Sequence, residues 1–405
     1  MVIIMKTIYL DNAATTKTAP EVLDTINSFN DESYGNPSSL HHLGRLSKKA
    51  LDFARINIAN KLNAAASEII FTSGGTEANN LAIFGICNSR KDKGNHIITS
   101  KFEHPSVLQS FEQLKKQGFE VDLVNITEEG IVDLDHLKSL LKPKTIFVSI
   151  MHANNEVGTI QPIKEIAAIC KQTKFSENQN IIFHSDCVQS FTKLPLDVKE
   201  LGVDLISISS HKIHGPKGVG ALYIRKLLPL TPILFGGSQE KLKRAGTENI
   251  AGIVGFAKAI ELITDKDIKK MSELRDYLIE ELLKISDTKL NGSQNLRLCN
   301  NISVVFNFIE GESLLMHLDL EGICVSTGSA CSSMDLQASH VLLSLGLPHE
   351  QCHGTIRFTL SKYTTKEELD ITVKKIKKTV EDLRKISPFK DFKSYESIKG
   401  DNHVH

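Results

Sequence analysis

The chain has 405 residues, of which 41% are hydrophobic and 24% charged, and its 48 basic and 48 acidic side chains give a formal net charge of zero. The length predicts two or three domains, and the even charge argues against a general nucleic-acid binder or a polybasic membrane protein. Seven widely spaced cysteines without a CxxC pair argue against a disulfide framework or a zinc site. Because no apolar run has the length of a signal peptide or a membrane span, we expect a cytoplasmic enzyme with free thiols.

Taken in chain order, short apolar runs alternate with helical patterns through the first two thirds of the sequence. The predicted strands cover positions 68–72, 96–99, 121–124, 145–150, 181–184, 203–207 and 220–224. Helices are predicted between them at 76–86, 107–117, 133–141 and 163–171. Short apolar strands separated by helices predict a mostly parallel sheet that is covered on both faces, which is an α/β layered fold.

The pattern changes near position 264. Helices are predicted at 250–263 and 271–285, and strands and helices then mix at 302–308, 314–320 and 355–360. The last helix begins at a capping box on Thr365 and is stopped by Pro388. Its four lysines between positions 374 and 378 are typical of a solvated face rather than of a nucleic-acid patch.

Two polar segments at the carboxyl ends of predicted strands suggest a ligand site, because ligands bind at that edge of an open parallel sheet. The segment TSGGTE at 72–77 combines two glycines with a helix start, which favours a phosphate cradle, although a plain turn capped by Thr76 fits equally well. Asp186 ends the strand near position 184. Such a carboxylate is either paired in a structural salt bridge or neutralises a cationic ligand atom.

Two further segments carry nucleophiles. Lys212 follows a strand in the polar turn SSHKIHGPKG, where a lysine forms Schiff bases when its pKa is lowered, but an exposed turn lysine is the ordinary alternative. The pair His211 and His214 lacks further metal ligands nearby. Cys331 lies in STGSACSS, whose small polar residues predict an exposed, mobile loop, and the alternative is an incidental surface cysteine.

Together the four segments supply a phosphate cradle, an acid for a ring nitrogen, a Schiff-base lysine and a thiol. The first three are what an aldehyde cofactor with a phosphate and a pyridine nitrogen requires, namely pyridoxal phosphate. The thiol indicates sulfur chemistry.

Eight motifs carry a resemblance to the cysteine desulfurases of the NifS/IscS group. They are YLDNAATT, GNPSS, TSGGTEANN, SIMHANNEVG, SSHKIHGPKGVG, RAGTEN, STGSACSS and IRFTL, in the family's order between positions 7 and 389. The resemblance implies a class-V, fold-type-I pyridoxal-phosphate enzyme that forms homodimers. It also implies a large cofactor domain at 16–263 with a mostly parallel seven-stranded sheet, a smaller α+β domain from 1–15 and 264–390, and a flexible tail at 391–405.

Three residues carry the chemistry that this resemblance implies. Lys212 forms the Schiff base and moves the substrate's α-proton, His104 stacks on the cofactor ring and takes part in proton transfer, and Cys331 attacks the substrate's sulfur. L-cysteine would leave as L-alanine, with a persulfide on Cys331. Cys331 would also share a nascent iron–sulfur cluster transiently with a scaffold protein, its only implied metal contact.

The remaining implied roles are in binding. Asp186 pairs with the pyridinium nitrogen, while Gln189 and Asn155 lie at the ring's phenolic oxygen. The substrate carboxylate is bound by Arg357 with Asn36 and Asn155 nearby. The phosphate is held by Gly75, Thr76, Ser209, Ser210 and His211, and by Thr247 of the opposite subunit.

The resemblance implies that the persulfide sulfur passes to a scaffold protein for iron–sulfur cluster assembly and to sulfur carriers for tRNA and cofactor thiolation. Neither direct nucleic-acid contact nor membrane contact is expected. A selenocysteine lyase, a cysteine β-lyase or a class-V aminotransferase on the same scaffold are alternatives, as is a maturation partner that has lost catalysis.

Overall fold

The computed structural model describes residues 7–175, 180–327, 338–389 and 391 of the chain. Cys331 lies outside the described residues. The strands, in chain order, are β1 (Ile8–Tyr9), β2 (Ile69–Thr72), β3 (His96–Ser100), β4 (Glu120–Val124), β5 (Thr145–Ser149), β6 (Ile182–Asp186), β7 (Leu205–Ser209), β8 (Gly220–Ile224), β9 (Thr288–Leu290), β10 (Asn301–Phe306), β11 (Ile323–Cys324), β12 (Ser326–Thr327) and β13 (Thr355–Thr359).

The helices surround these strands. They are α1 (Pro20–Asp31), α2 (His42–Lys61), α3 (Gly75–Ser89), α4 (Pro105–Lys116), α5 (Leu134–Leu140), α6 (Ile163–Gln172), α7 (Val198–Leu201), α8 (Ile250–Glu261), α9 (Asp265–Leu283), α10 (Gly311–Leu320), α11 (His340–Ser344), α12 (His349–His353) and α13 (Lys366–Ile386). None of the described helices is long and apolar enough to cross a membrane.

A seven-stranded sheet in the order β2-β8-β7-β6-β5-β3-β4 forms the centre of the fold. Strand β8 is antiparallel to both of its neighbours, and the other pairs are parallel. Strands β5, β6, β7 and β8 are buried along their whole length, as strands covered by helices on both faces must be. The predicted α/β class with a mostly parallel seven-stranded sheet is confirmed.

A second, antiparallel sheet has the order β12-β13-β10-β9, and its helices α9, α10 and α13 bury a separate apolar core. Strand β1, near the start of the chain, pairs in parallel with β11. The backbone amide of Thr359 also donates to the Leu10 carbonyl at 2.7 Å. Residues 8–10, near the start of the chain, therefore pack beside the second sheet, while the domain boundaries drawn from the sequence stay a prediction.

Element boundaries differ from the sequence prediction at one informative place. Helix α9 begins at Asp265, six residues before the predicted start at position 271. The polar residues at the change of pattern near position 264 form a capping box, in which Thr264 and Asp267 hydrogen-bond each other's backbone amides. A cap of this kind contributes about 1 kcal/mol to a helix start. Helices α1 and α2 were not predicted.

Candidate active site

A cavity of about 280 Å³ opens at the carboxyl edge of the central sheet, beside β13. It is lined by ten of the residues that the sequence analysis assigned to the site: Gly75, Thr76, His104, Asn155, Asp186, Gln189, Ser209, His211, Lys212 and Arg357. Strands β6 and β7 bring Asp186 and Ser209 to its floor because parallel strands end at the same edge of a sheet.

Lys212 reaches the cavity from the short turn that follows β7. Its Nζ donates hydrogen bonds to the carbonyls of Ala13 and Ala14, each at 2.6 Å, so the N-terminal segment holds the amine at the cavity wall. Lys193 lies below and donates to the carbonyls of Gln189 at 2.9 Å and Lys212 at 3.5 Å. Burial lowers the pKa of Lys193 to about 8. Lys212 is thus fixed from both sides, at its amine and at its backbone.

Asp186 faces the cavity with two neutral hydrogen-bond donors and no ion pair among the described residues. The Asn79 Nδ2 donates to one carboxylate oxygen at 2.7 Å, and the Val188 backbone amide donates to the other at 2.9 Å. This arrangement argues against the structural salt bridge that the sequence left open. No charged partner among the described residues would compete with a cationic group that binds to Asp186 from the cavity.

His104 caps the start of α4, and its ring is oriented by Ser106. The Ser106 amide donates to His104 Nδ1 at 3.1 Å, and the Ser106 hydroxyl lies 2.8 Å from the same nitrogen. Because Nδ1 accepts the backbone N–H, a neutral ring carries its proton on Nε2. Burial is the main cause that lowers the pKa of His104, which favours the neutral ring.

The start of α3 has the geometry of an anion cradle. Gly74 has φ +155°, a conformation that favours glycine, and a Cβ on Gly75 would lie 2.6 Å from the Val188 side chain. The Ser209 hydroxyl is buried here and has no hydrogen-bond partner within the described residues. Burial lowers the pKa of His211 to about 4, so its neutral ring adds a donor without charge. An orphaned donor at a helix start fits a phosphate, such as that of the pyridoxal phosphate that the sequence predicts.

Arg357, on β13, forms the opposite wall of the cavity. Its guanidinium donates to the Asp11 carboxylate at 2.8 Å and to the Asn155 carbonyl at 3.2 Å. Its Nε is buried and has no partner in the described part of the chain. Because the guanidinium is held in place and still has an unpaired N–H donor, it is suited to bind a carboxylate ligand.

Four assigned residues are not at this cavity in the described chain. Ser210 is buried in the turn that carries Lys212. Asn36 and Thr247 are exposed and are not among the residues that line the cavity. Cys331 lies outside the described residues. The implied contact of Thr247 with the opposite subunit stays a prediction.

The cavity also contains residues that sequence reasoning missed. Asn79 bridges Asp186 and Ser106, with Nδ2 at 2.9 Å from the Ser106 hydroxyl. A signal for Asn79 was present, because it lies one helical turn after the predicted cradle residues on α3. The roles of the Ala13 and Ala14 carbonyls could not be predicted from the sequence, because every residue has a backbone carbonyl.

A group of potential metal ligands lies elsewhere. His96, Glu120 and Asp122 bring their ligand atoms within 4.8 Å of one another at the other end of the sheet. The Lys142 ammonium donates to both carboxylates of this group, at 2.9 Å to Asp122. A cation is already in place, so the cluster is an ion-pair network.

Comparisons with known proteins agree with this geometry. The aminotransferase class-V family matches residues 8–371. A cysteine desulfurase IscS of Dictyoglomus turgidum is 54% identical over 387 residues, covering 95% of this chain and 97% of that one. A solved NifS-like protein is 37% identical with a TM-score of 0.87, covering 93% of this chain and 100% of that one. Another structure, described as SspA in complex with cysteine, is 34% identical with a TM-score of 0.78, covering 89% and 100%.

Proposed function

The chain belongs to the aminotransferase class-V family and is a cysteine desulfurase, and on that premise we propose that it uses pyridoxal phosphate to convert L-cysteine to L-alanine. The sulfur is held as a persulfide on Cys331. One observation carries the proposal: a single cavity is lined by Lys212, Asp186, the cradle at Gly75 and the carboxylate-binding Arg357.

When bound, pyridoxal phosphate supplies an aldehyde that condenses with amines and a pyridinium ring that takes up electrons. Gly75, Thr76, Ser209 and His211 would hold its phosphate, and the Asp186 carboxylate would hold its ring nitrogen protonated. Asn79 orients that carboxylate through its 2.7 Å hydrogen bond. The hydrogen bond from Ser106 orients the His104 ring beside the cofactor.

Lys212 and Arg357 act on the substrate. The Arg357 guanidinium binds the carboxylate of L-cysteine and thereby fixes the direction of its α-carbon. The Lys212 Nζ takes the α-proton and returns a proton as alanine forms. The carbonyls of Ala13 and Ala14 hold that amine in the cavity when it carries a proton.

The Cys331 thiolate attacks the γ-sulfur of L-cysteine. A sulfur–sulfur bond forms, the bond from Cβ to sulfur breaks, and the electrons of that bond remain with the carbon skeleton that becomes L-alanine. The other six cysteines are free, and burial raises the pKa of each; it reaches about 12 for Cys187 and Cys352. Thiols with raised pKa values are poor nucleophiles at neutral pH, which supports Cys331 as the reactive one.

A homodimer is part of the proposal. Leu46, Phe53 and Ile56 are exposed on one face of α2. The Arg55 guanidinium on the same helix donates to both Glu240 carboxylate oxygens, at 2.7 and 2.6 Å. The segment around Glu240 carries two more exposed apolar side chains, Phe235 and Leu242. An exposed apolar patch of this kind is typical of a subunit interface.

We further propose that the persulfide sulfur passes to an iron–sulfur scaffold protein and to sulfur carriers for tRNA and cofactor thiolation, with Cys331 transiently ligating a nascent cluster. Persulfide chemistry requires a reducing compartment, which supports a cytoplasmic location.

The persulfide mechanism is tested by Cys331→Ala, with Cys324→Ala as the matched control. Cys331→Ala should keep the cofactor's absorbance near 420 nm and lose alanine release from L-cysteine, whereas Cys324→Ala should keep both. Borohydride reduction followed by mass spectrometry should attach the cofactor to Lys212. Alanine release that survives in Cys331→Ala would favour a β-lyase or selenocysteine lyase, and undiminished transfer from an amino donor to a keto acid would favour an aminotransferase.

A further inference from the structure

A buried arginine lies where the central sheet meets the second sheet. Arg297 precedes β10 in sequence and is 3% exposed. Its guanidinium donates to the carbonyls of Val157 at 2.7 Å, Ser293 at 2.9 Å and Asn301 at 3.5 Å. A further N–H reaches the Asn291 carbonyl. Within the described residues, every hydrogen bond of this guanidinium therefore ends on a backbone carbonyl.

Arg297 holds three segments of the chain together. Its acceptors lie in the turn after β5, in the connection from β9 to β10, and on β10 itself. The backbone on either side of Arg297 pairs with the same turn, because the Ile160 amide donates to the Leu296 carbonyl and the Leu298 amide to the Gly158 carbonyl, each at 2.9 Å. A buried charge costs free energy unless hydrogen bonds replace its hydration, and the fork of five guanidinium donors can bind several carbonyls at once.

The turn that Arg297 holds contains an acceptor for the proposed substrate-binding arginine. The Asn154 side-chain oxygen accepts from the Val157 amide at 3.0 Å, and the Gly158 amide donates to the Asn154 carbonyl at 3.0 Å. These bonds close the turn, so its residues move together. Between them lies Asn155, whose carbonyl accepts from Arg357 at 3.2 Å.

A second connection reaches the same carbonyl from β10. The Asn301 side chain donates to the Asn155 carbonyl at 3.3 Å. Strand β10, which carries Asn301, pairs with β13, which carries Arg357. Since Arg297 binds both the turn and β10, it sets the separation across which Arg357 reaches Asn155.

We propose that Arg297 is a positioning residue for recognition of the substrate's carboxylate: it fixes the Asn155 carbonyl, which in turn orients the Arg357 guanidinium. The inference rests on the proposed role of Arg357. Arg297 is not among the residues that line the cavity, so it acts through other groups. Asp11 holds Arg357 independently at 2.8 Å, so loss of Arg297 should misdirect the Arg357 guanidinium rather than release it.

The experiment compares Arg297→Lys with Arg384→Lys in the holoenzyme. Arg384, on α13, is the matched control because it also binds backbone carbonyls, those of Asn307 at 3.1 Å and Asp287 at 3.3 Å, and neither acceptor lines the cavity. The first measurement is KM for L-cysteine. The second is the inhibition constant of 3-mercaptopropionate, which has a carboxylate and no amine, and of cysteamine, which has an amine and no carboxylate. The third is amide hydrogen exchange across residues 154–160 in the cofactor-free protein.

Arg297→Lys should raise both KM for L-cysteine and the inhibition constant of 3-mercaptopropionate about tenfold, because a misdirected guanidinium loses a charged hydrogen bond to the carboxylate. The inhibition constant of cysteamine, which makes no such bond, should stay within about twofold. Amide exchange across 154–160 should quicken in Arg297→Lys, because the turn loses its anchor. Arg384→Lys should match the unsubstituted protein in all three measurements.

Equal weakening of both inhibitors would indicate general damage to the cavity and would overturn the inference, as would an unchanged constant for 3-mercaptopropionate. If Arg297→Lys does not fold, Asn301→Ala decides in the same way, since it removes a hydrogen bond to the Asn155 carbonyl and keeps the buried guanidinium. A constant for 3-mercaptopropionate that Arg357→Lys leaves unchanged would instead refute the proposed role of Arg357. Absence of alanine release by the unsubstituted protein would refute the proposed function itself.

Discussion

Replacing Arg357 by lysine should raise KM for L-cysteine by about 10- to 150-fold. The guanidinium is fixed by Asp11 at 2.8 Å and by the Asn155 carbonyl at 3.2 Å, and its buried Nε has no partner within the described residues. A lysine ammonium provides one point contact where the guanidinium provides a planar pair of donors. Loss of one charged hydrogen bond costs about 1.5–3 kcal/mol, which converts to that range of KM.

The assay measures alanine release against L-cysteine concentration, with Asp11→Asn as the matched control. Asp11→Asn keeps the guanidinium and removes its competing carboxylate, so KM should be at or below that of the unsubstituted protein. The cofactor's absorbance should be unchanged in both variants, since neither residue lies at the phosphate or at the ring nitrogen. An unchanged KM in Arg357→Lys, or a fall in kcat alone, would refute the assignment of Arg357 to the substrate carboxylate.

Two further predictions concern groups beneath the cavity. Asn79→Ala should weaken cofactor affinity by about tenfold, because Asp186 loses a 2.7 Å hydrogen bond worth about 1.5 kcal/mol; equal cofactor dissociation constants would contradict this. Burial lowers the pKa of Lys193 from 10.5 to about 8, so between these pH values the unfolded chain binds a proton that the folded protein does not. The stability of the protein should therefore rise with pH across this interval, and Lys193→Met should flatten that rise. Urea unfolding measures the free energy of unfolding of the protein and of the variant. The difference between these two free energies should change by about 3 kcal/mol from pH 7.5 to pH 10.5, and a constant difference would contradict the prediction.

The central sheet could be predicted from the sequence because six of its seven strands, all except β4, are buried along their whole length. Their apolar runs are then continuous, and β6 and β7 end at the polar residues that line the cavity. Helix α9 shows the limit of such prediction. Thr264 and Asp267 mark only a change of pattern in the sequence, whereas in the structure they cap the start of the helix. Whether polar residues separate two elements or begin one depends on hydrogen bonds that composition does not reveal.

The residues of the candidate site also fall into those that the sequence predicts and those that it does not. Lys212 and Asp186 could be predicted because their chemistry is unusual at the end of a buried strand. Asn79 left only a weaker signal, its place one helical turn after the cradle residues, and its role in holding another side chain across two elements is seen only in the structure. The carbonyls of Ala13 and Ala14 reach Lys212 across 199 and 198 positions of sequence, a distance over which no local pattern operates.

The contact between residues near the start of the chain and β13 can form only late in synthesis. The Asn12 side chain donates to the Thr359 carbonyl, 347 positions later, at 2.7 Å. At translation rates of 5–20 residues per second, the first residues wait roughly 20–70 s for this partner. A nascent chain stalled before β13 has neither that partner nor the Arg357 guanidinium. If Arg357 binds the substrate carboxylate as proposed, such a chain lacks that group, and we expect desulfurase activity only from chains that have been synthesised beyond β13.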